Sequence, residues 1–281
     1  MTDKAQEKRS GYVATSRARA QAIRESTRDR RRYKDNAISD GVTRARVSAD
    51  AVGTLFPKTV KQWRFGNKER IFKDGAWNAK IGGNVSVGDL KGAYIYTLSL
   101  EERATCPRSC NHWTTCYGNA MHRAVRWEYD AYLRMGMVDE IRELCLRHDT
   151  VLIRLHVLGD FFDARAVQFW EDQLRLWPNL HCFGFTAHKP DTSVGRKIVQ
   201  LRRKYKQDRK VRRSRFAIRH SGTSGMWGSI TLDYPTVRKR LGDGIVCPEQ
   251  IDADIHPDKQ THCGSCAVCW QTPMMVAFRE H

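Results

Sequence analysis

The stretch VLIRLHVLGDFFDARAVQFWEDQLRLWPNLHCFGFTAH, residues 151–188, decides the fold class. Its two apolar runs, 151–160 and 180–188, have the length and the aliphatic and aromatic content of buried strands. Between them, residues 163–178 predict a helix that begins with Asp163 as its N-cap and stops at Pro178. A strand, a helix and a second strand of these lengths form a parallel pair joined by a crossover helix.

The same alternation continues on both sides of this stretch. GAYIYTLSL (92–100) predicts an earlier strand, and RFAIRH and GSITLDY predict two later ones. Before residue 151, apolar residues at spacings of three and four predict a long amphipathic helix: Met121, Val125, Tyr132, Met135, Val138, Ile141 and Cys145. We therefore predict an α/β fold with a parallel (β/α) barrel or partial barrel, whose chemistry follows the carboxyl ends of its strands.

Composition divides the chain into four predicted segments. Residues 1–50 are a basic flexible arm, 51–91 a lead-in of short strands and turns, 92–246 the barrel-like catalytic core and 247–281 a C-terminal cysteine knuckle. The 41% of hydrophobic residues suffices for a core. Because no apolar run approaches the roughly 18 residues of a membrane span, and the N-terminus is polar where a signal peptide would be apolar, we expect a cytoplasmic protein.

Nine cysteines in such a protein are expected to bind metal rather than to form disulfides. Cys106, Cys110 and Cys116 form a C-x3-C-x5-C loop after the first core strand. Three thiolates leave a coordination position open for a substrate or cofactor. His112, within the loop, can instead complete a closed zinc site. Tyr117 closes the loop and is a candidate cofactor contact.

A second cysteine group has the spacing C-x15-C-x2-C-x2-C and comprises Cys247, Cys263, Cys266 and Cys269. Repeated C-x2-C spacing is a strong indication of a metal site, and both zinc and an iron–sulfur cluster fit it. Four thiolates leave no open position, so this site is expected to hold the C-terminal segment onto the barrel. Cys145 and Cys182 lie on apolar faces and are interpreted as buried free thiols.

Polar residues at strand ends are the candidate catalytic groups. Asp160 ends the strand 151–160 behind Gly159, which lets the backbone approach a ligand closely, so both are candidates to bind a cofactor. Capping of the next helix is the alternative role for Asp160. Alternation along the strand places His156 on the same face as Arg154 and Asp160. The predicted catalytic residues are Asp160, His156, His188 and Asp233, the last two following other strands.

The net charge of +18 is concentrated in two segments. Residues 1–50 carry a surplus of 6 positive charges and residues 196–219 a surplus of 11, which together make 17 of the 18. Such clustering indicates a surface for a polyanion, most simply nucleic acid, although charge that only maintains solubility is the alternative. The predicted nucleic-acid contacts are Arg202, Arg203, Lys204, Lys206, Arg212, Arg213 and Arg215.

Three stretches carry a resemblance to a known family: TCPRSCNHWTTCYGNA (105–120), RLHVLGDFFDARAVQFWEDQLRLWPNLHCFGFTAH (154–188) and CPEQ with HCGSCAVCW (247–250 and 262–270). In these the chain resembles the phage and prophage proteins called after "gene product eighty-eight", over about residues 92–281. More loosely, it is similar to radical S-adenosylmethionine enzymes. That resemblance implies a [4Fe-4S] cluster on Cys106, Cys110 and Cys116, with Gly159-Asp160 at the methionyl end of the cofactor. The second cysteine gap is three residues longer than in the commonest radical-enzyme motif, C-x3-C-x2-C.

A second loose resemblance is to the guanine transglycosylases, which are barrels with a C-terminal zinc knuckle and strand-end aspartates. It implies that Asp160 and Asp233 act as nucleophile and base, with Cys263, Cys266 and Cys269 on zinc. It does not account for the first cysteine group.

The leading hypothesis from the sequence is a phage-type enzyme that modifies a base in nucleic acid, with DNA favoured over RNA. Its cofactors would be a [4Fe-4S] cluster and S-adenosylmethionine. The alternatives are a zinc-containing transglycosylase that exchanges a base in DNA, and a non-catalytic DNA-binding protein stabilised by its metals.

Overall fold

The structure is a computed structural model that describes residues 46–206, 214–232, 244–250 and 261–279. All of these residues belong to one compact unit. Almost all of the predicted basic arm lies outside the described residues, as do Asp233, Arg212 and Arg213.

Strands and helices alternate through the centre of the chain, as the sequence predicts. The strands are β1 (Val60–Lys61), β2 (Lys73–Asp74), β3 (Tyr94–Thr97), β4 (Arg126–Trp127), β5 (Val151–Leu155), β6 (Leu180–Thr186), β7 (Phe216–Ser221), β8 (Gly228–Leu232), β9 (Ile245–Val246) and β10 (Val276–Arg279). The helices are α1 (Ala131–Arg147), α2 (Ala164–Leu176), α3 (Ser193–Lys204), α4 (Cys263–Cys266) and α5 (Val268–Gln271).

Eight strands form one sheet in the order β2-β3-β5-β6-β7-β8-β10-β9, and β1 pairs separately with β4. All neighbours in the large sheet are parallel except β2, which is antiparallel to β3. The parallel α/β class is therefore confirmed. In the described part of the chain the sheet is open, with β2 and β9 at its edges, and it does not close into a barrel.

Helices α1 to α3 cover one face of the sheet, because right-handed crossovers between adjacent parallel strands place every helix on the same side. Leu133 and Ile141 of α1 are buried in one cluster with Ile153 of β5 and Cys182 of β6. We call this the outer face. Asp163 is the N-cap of α2, as predicted, and its side chain accepts a hydrogen bond from the main-chain N of Ala166 at 2.8 Å.

The predicted apolar face of α1 is wrong in part. The helix starts only at Ala131, where the Asp130 side chain accepts a hydrogen bond from Leu133 N. Tyr132 and Met135 are exposed, and the buried stripe instead contains Leu133 and Met137. Met121 and Val125 precede the helix, so the spacing that begins with them does not mark its buried face.

The opposite, inner face is covered by the C-terminal cysteine segment. Leu152 of β5 and Phe183 of β6 form a second buried cluster with Ala267 and Trp270. The Trp270 ring meets that of Phe183 edge-on, with centroids 4.6 Å apart. Because β10 also inserts between β8 and β9, the predicted C-terminal knuckle is continuous with the main sheet. No helix in the described ranges is both long and apolar enough to cross a membrane.

Candidate functional site

The first cysteine loop crosses the carboxyl ends of several strands. Thr105 Oγ1 accepts a hydrogen bond from Asp160 N at 3.1 Å, which joins the loop to the segment after β5. His112 Nε2 lies 3.3 Å from Thr231 Oγ1 of β8. Gly222, after β7, lies close to Asn111: a Cβ at position 222 would be 2.6 Å from the Asn111 Nδ2. The loop thus contacts the ends of three parallel strands.

Two buried arginines hold this loop in place. Arg126 donates from Nε to Glu102 Oε2 at 2.6 Å and from Nη2 to the Gly118 carbonyl at 3.1 Å. Arg103, in the left-handed conformation with φ 67°, donates to the Trp113 carbonyl at 3.2 Å and to the Asn119 side chain. The loop is therefore anchored before Cys106 and after Cys116.

The three thiols of the loop lie within electrostatic reach of one another. Burial raises the pKa of Cys106 and Cys110, and the neighbouring Asp160 carboxylate raises both further. Cys116 Sγ accepts a hydrogen bond from Gly118 N at 3.4 Å, at the start of a 3-10 turn that contains the half-exposed Tyr117. As the side chains stand, no group of three or more His, Cys, Asp or Glu residues in the described ranges could hold a metal ion. Metal binding by these cysteines is therefore a proposal.

Asp160 is buried, with 3% of its surface exposed, and connects two strand ends. Its Oδ1 accepts hydrogen bonds from Phe161 N at 2.7 Å and Thr186 Oγ1 at 2.8 Å, and its Oδ2 accepts one from Ala187 N at 2.6 Å. Burial raises the pKa of Asp160, while His188 and these hydrogen bonds lower it. Both carboxylate oxygens are occupied by the protein itself, which does not favour a role as a nucleophile.

Gly159 permits a close approach, but to the cysteine loop. Its φ is +79°, and a Cβ would lie 2.6 Å from Thr105 Oγ1 and 2.8 Å from Leu100 Cβ. Gly159 thus makes room for the loop, which packs against the end of the strand, and not for a ligand as the sequence predicts.

His156 does not share a strand face with Arg154 and Asp160, which corrects the prediction from alternation. Strand β5 ends at Leu155, and His156 has φ +53°. Its ring is 5% exposed and meets Phe161 edge-on at 4.4 Å. Burial lowers the pKa of His156 to about 3, so the ring is neutral, and its Nδ1 has no partner in the described structure.

The ends of β6 and β7 bring two further histidines together. His188 Nε2 lies 2.8 Å from the Phe161 carbonyl, and His220 Nδ1 lies 2.9 Å from the His188 carbonyl. Burial lowers the pKa of His220 to about 4. The sequence prediction did not include His220, although it ends the run RFAIRH as His188 ends its strand. Lys189 Nζ donates to the Gly222 carbonyl at 3.2 Å.

The four cysteines of the second group line one pocket on the inner face. Burial raises the pKa of Cys247 to about 12, and it also raises the pKa of Cys263 and Cys269. The His262 side chain caps α4 by accepting a hydrogen bond from Ser265 N. The structure thus brings together the four cysteines that the sequence spacing places in one group.

Arg219 attaches this segment to β7 and was not identified from the sequence. Its side chain is 0% exposed. It donates to the carbonyls of Cys269 at 3.1 Å, Met274 at 2.6 Å and Val268 at 3.3 Å, and also to that of Thr272. In the sequence, Arg219 is one of the basic residues of 196–219, and nothing near it indicates which carbonyls accept its hydrogen bonds.

Two of the predicted nucleic-acid contacts, the buried Arg202 and the half-buried Arg215, donate to main-chain carbonyls of the protein itself. Arg202 donates to the Ile218 carbonyl at 2.6 Å, and burial lowers its pKa to about 10. Arg215 donates to the carbonyls of Leu174, Trp177, Pro178 and Leu180.

The other described residues of this set are at the surface. Lys204 pairs with Glu171 at 2.6 Å. Arg203 and Lys206 are exposed.

Comparisons of this chain with protein-family models, with curated proteins and with solved structures find no match.

Proposed function

We propose that this protein is an enzyme that modifies a base of nucleic acid and uses an iron–sulfur cluster bound by Cys106, Cys110 and Cys116. One observation carries the proposal: a loop with three thiols lies against the carboxyl ends of parallel strands, where it contacts Asp160 after β5, Gly222 after β7 and Thr231 within β8. In parallel α/β folds this edge is where reactive groups are presented.

The order of the strands supports a partial (β/α) barrel. Strands β3, β5, β6, β7 and β8 are neighbours in the order in which they occur in the chain. In a doubly wound sheet the order of the strands reverses at a switch point. In a (β/α) barrel the strands follow one another in chain order. The concave side would then be the inner face.

The donor set of the loop supports an open site. Three thiols are available, whereas His112 contacts Thr231 of β8 rather than closing the group. A cluster bound there would supply one-electron chemistry and an open iron position for S-adenosylmethionine. Around it, the protein contributes the positive charge of Lys189 near Cys110. Asp160 would keep the ends of β5 and β6 aligned beneath the loop.

Charge supports nucleic acid as the partner. Of the net charge of +18, 17 lie in residues 1–50 and 196–219. Exposed Arg203 and Lys206 extend this charge over the described surface at the end of α3. A groove or patch of this sign concentrates a polyanion, and DNA is the partner we favour.

Anaerobic purification with analysis of iron, zinc and acid-labile sulfide tests the cofactor. We expect iron and sulfide in the wild-type protein, their loss in Cys106→Ala and their retention in Cys145→Ala, which alters a buried thiol of α1 outside both groups. Zinc without iron in the wild-type protein would overturn the cluster. If part of that zinc were lost in Cys106→Ala, the result would support a structural role for the loop, as in the DNA-binding alternative.

The reaction is tested by mass spectrometry of nucleosides from cells that express the protein. We expect a new modified nucleoside in DNA with the wild-type protein and none with Cys106→Ala. If the cluster is present but the nucleosides of DNA and RNA are unchanged, base modification is the wrong activity.

A further inference from the structure

We propose that Cys247, Cys263, Cys266 and Cys269 bind a single divalent metal ion of the zinc class as four thiolates, with Arg154 and Arg219 as the counter-cations of the site. This site lies on the inner face, apart from the loop at the carboxyl edge, and its metal does not depend on the proposed catalytic function.

The main chain already holds the four residues around one pocket. All four line it, together with His262 and Glu249. Cys263 N donates to the Lys80 carbonyl at 2.9 Å and Gly264 N to the Ile81 carbonyl at 3.0 Å, so α4 is fixed to the lead-in segment. The Glu249 carboxylate at this pocket pairs with Lys80 at 3.4 Å.

Arg219 is a buried cation without an acidic partner in the described structure. It is fully buried and bonded to main-chain carbonyls, among them that of Cys269 at 3.1 Å. The ion pairs found within the described ranges include none to this guanidinium. Because a guanidinium keeps its charge in proteins, a negative group is expected nearby.

Arg154 is a second, half-buried cation on the same face, and its Nη1 donates to the Leu155 carbonyl at 2.6 Å. Its guanidinium carbon lies 4.8 Å from the ring centre of Phe185 and 5.6 Å from that of Phe183. It is also within electrostatic range of the Cys263 and Cys269 sulfurs. Like Arg219, it forms no ion pair within the described part of the chain.

Four thiolates bound to a metal centre balance these charges. Four neutral thiols, or two disulfides, would leave the buried guanidinium of Arg219 and the half-buried one of Arg154 without a negative partner among the described residues, which is costly. Four thiolates around a divalent ion carry two negative charges in excess, and tetrahedral coordination by sulfur is the usual closed structural site of zinc. The two arginines would neutralise this excess.

Cobalt(II) is a suitable probe, because its absorption reports tetrahedral thiolate coordination. The full-length protein is stripped with a chelator and then loaded with Co²⁺. We expect it to show the d–d and thiolate charge-transfer bands of a four-sulfur site, and we expect Zn²⁺ to displace the cobalt. Cys269→Ser should lose the four-sulfur spectrum, whereas Cys106→Ala should keep it. The two variants therefore separate failure of this site from failure of the proposed catalytic cluster.

Displacement of bound Co²⁺ by Zn²⁺ measures the Zn²⁺ affinity and so tests the role of Arg154. Arg154→Gln should weaken Zn²⁺ binding by about 10-fold or more, as the loss of a group beside the metal ligands does, and Arg154→Lys should restore most of it. Arg142→Gln removes one exposed positive charge from α1 and should change the affinity less than about twofold. Equal affinities for Arg154→Gln and Arg142→Gln would overturn the role of Arg154. Iron with sulfide retained in Cys106→Ala and lost in Cys269→Ser would overturn the mononuclear site.

Discussion

Arg126 donates to Glu102 at 2.6 Å, and both side chains are buried, with 0% and 1% of their surfaces exposed. The same guanidinium donates to the Gly118 carbonyl at 3.1 Å, just beyond Cys116. Because Glu102 precedes the cysteine loop and Gly118 follows it, this one arginine joins the two ends of the loop.

Arg126→Met should strongly destabilise the protein. Removing Arg126 leaves the buried Glu102 with Arg103, 3.9 Å away, as its remaining ion-pair partner among the described residues, so we expect the free energy of unfolding to fall by about 3–5 kcal/mol. Urea denaturation measures this. The control is Arg147→Met, which breaks the exposed pair with Glu143 and should cost less than about 1 kcal/mol. Similar losses for the two variants would mean that the buried pair does not stabilise the loop.

Gly159→Ala should cost more than an equivalent change at an uncrowded glycine. Both Gly159 and Gly92 have positive φ, but a Cβ at Gly92 would meet nothing within 4 Å, whereas one at Gly159 would meet Thr105 and Leu100. We expect backbone strain of about 1–3 kcal/mol in both variants, and an additional loss from the clash in Gly159→Ala only. Equal midpoints in urea denaturation would show that the loop moves aside at no cost.

Local patterns in the sequence predict the fold well. The strands at residues 151 and 180, the helix between them and its cap Asp163 depend on periodicity and short-range hydrogen bonds, which neighbouring residues determine. His156 shows where this reasoning fails, since one residue with positive φ after β5 redirects every side chain that follows.

The candidate site is only partly predictable for a related reason. Spacing groups the four C-terminal cysteines that line a pocket, because their separation along the chain is short for three of the four. The functions of Arg219, Arg202 and Arg215 are not predictable, since their acceptors are carbonyls far away in sequence. A charge count treats a buried anchor and a surface cation alike.

His220→Gln should reduce the loss of stability in mild acid. Burial lowers the pKa of His220 from 6.5 to about 4, so below about pH 6.5 the unfolded chain takes up a proton that the folded protein does not. The free energy of unfolding of the wild-type protein therefore falls as pH decreases, by about 1.4 kcal/mol per pH unit from this residue.

Urea denaturation between about pH 6 and pH 5 measures this dependence. The slope should be smaller by about that amount in His220→Gln, and unchanged in His122→Gln, which alters an exposed histidine. An unchanged slope in His220→Gln would show that His220 takes up its proton in the folded protein.

Substitution of Arg203 and Lys206 tests the described part of the basic surface. If both contact phosphates, Arg203→Gln with Lys206→Gln should weaken DNA binding similarly for all sequences. It should also reduce the slope of log K against log salt by about 2, roughly one released counterion for each contact. Fluorescence anisotropy over a range of salt concentrations gives the slope. Arg142→Gln with Arg165→Gln removes two exposed charges from α1 and α2 and should leave the slope unchanged. Equal slopes for the two double variants would place the DNA contacts elsewhere on the protein.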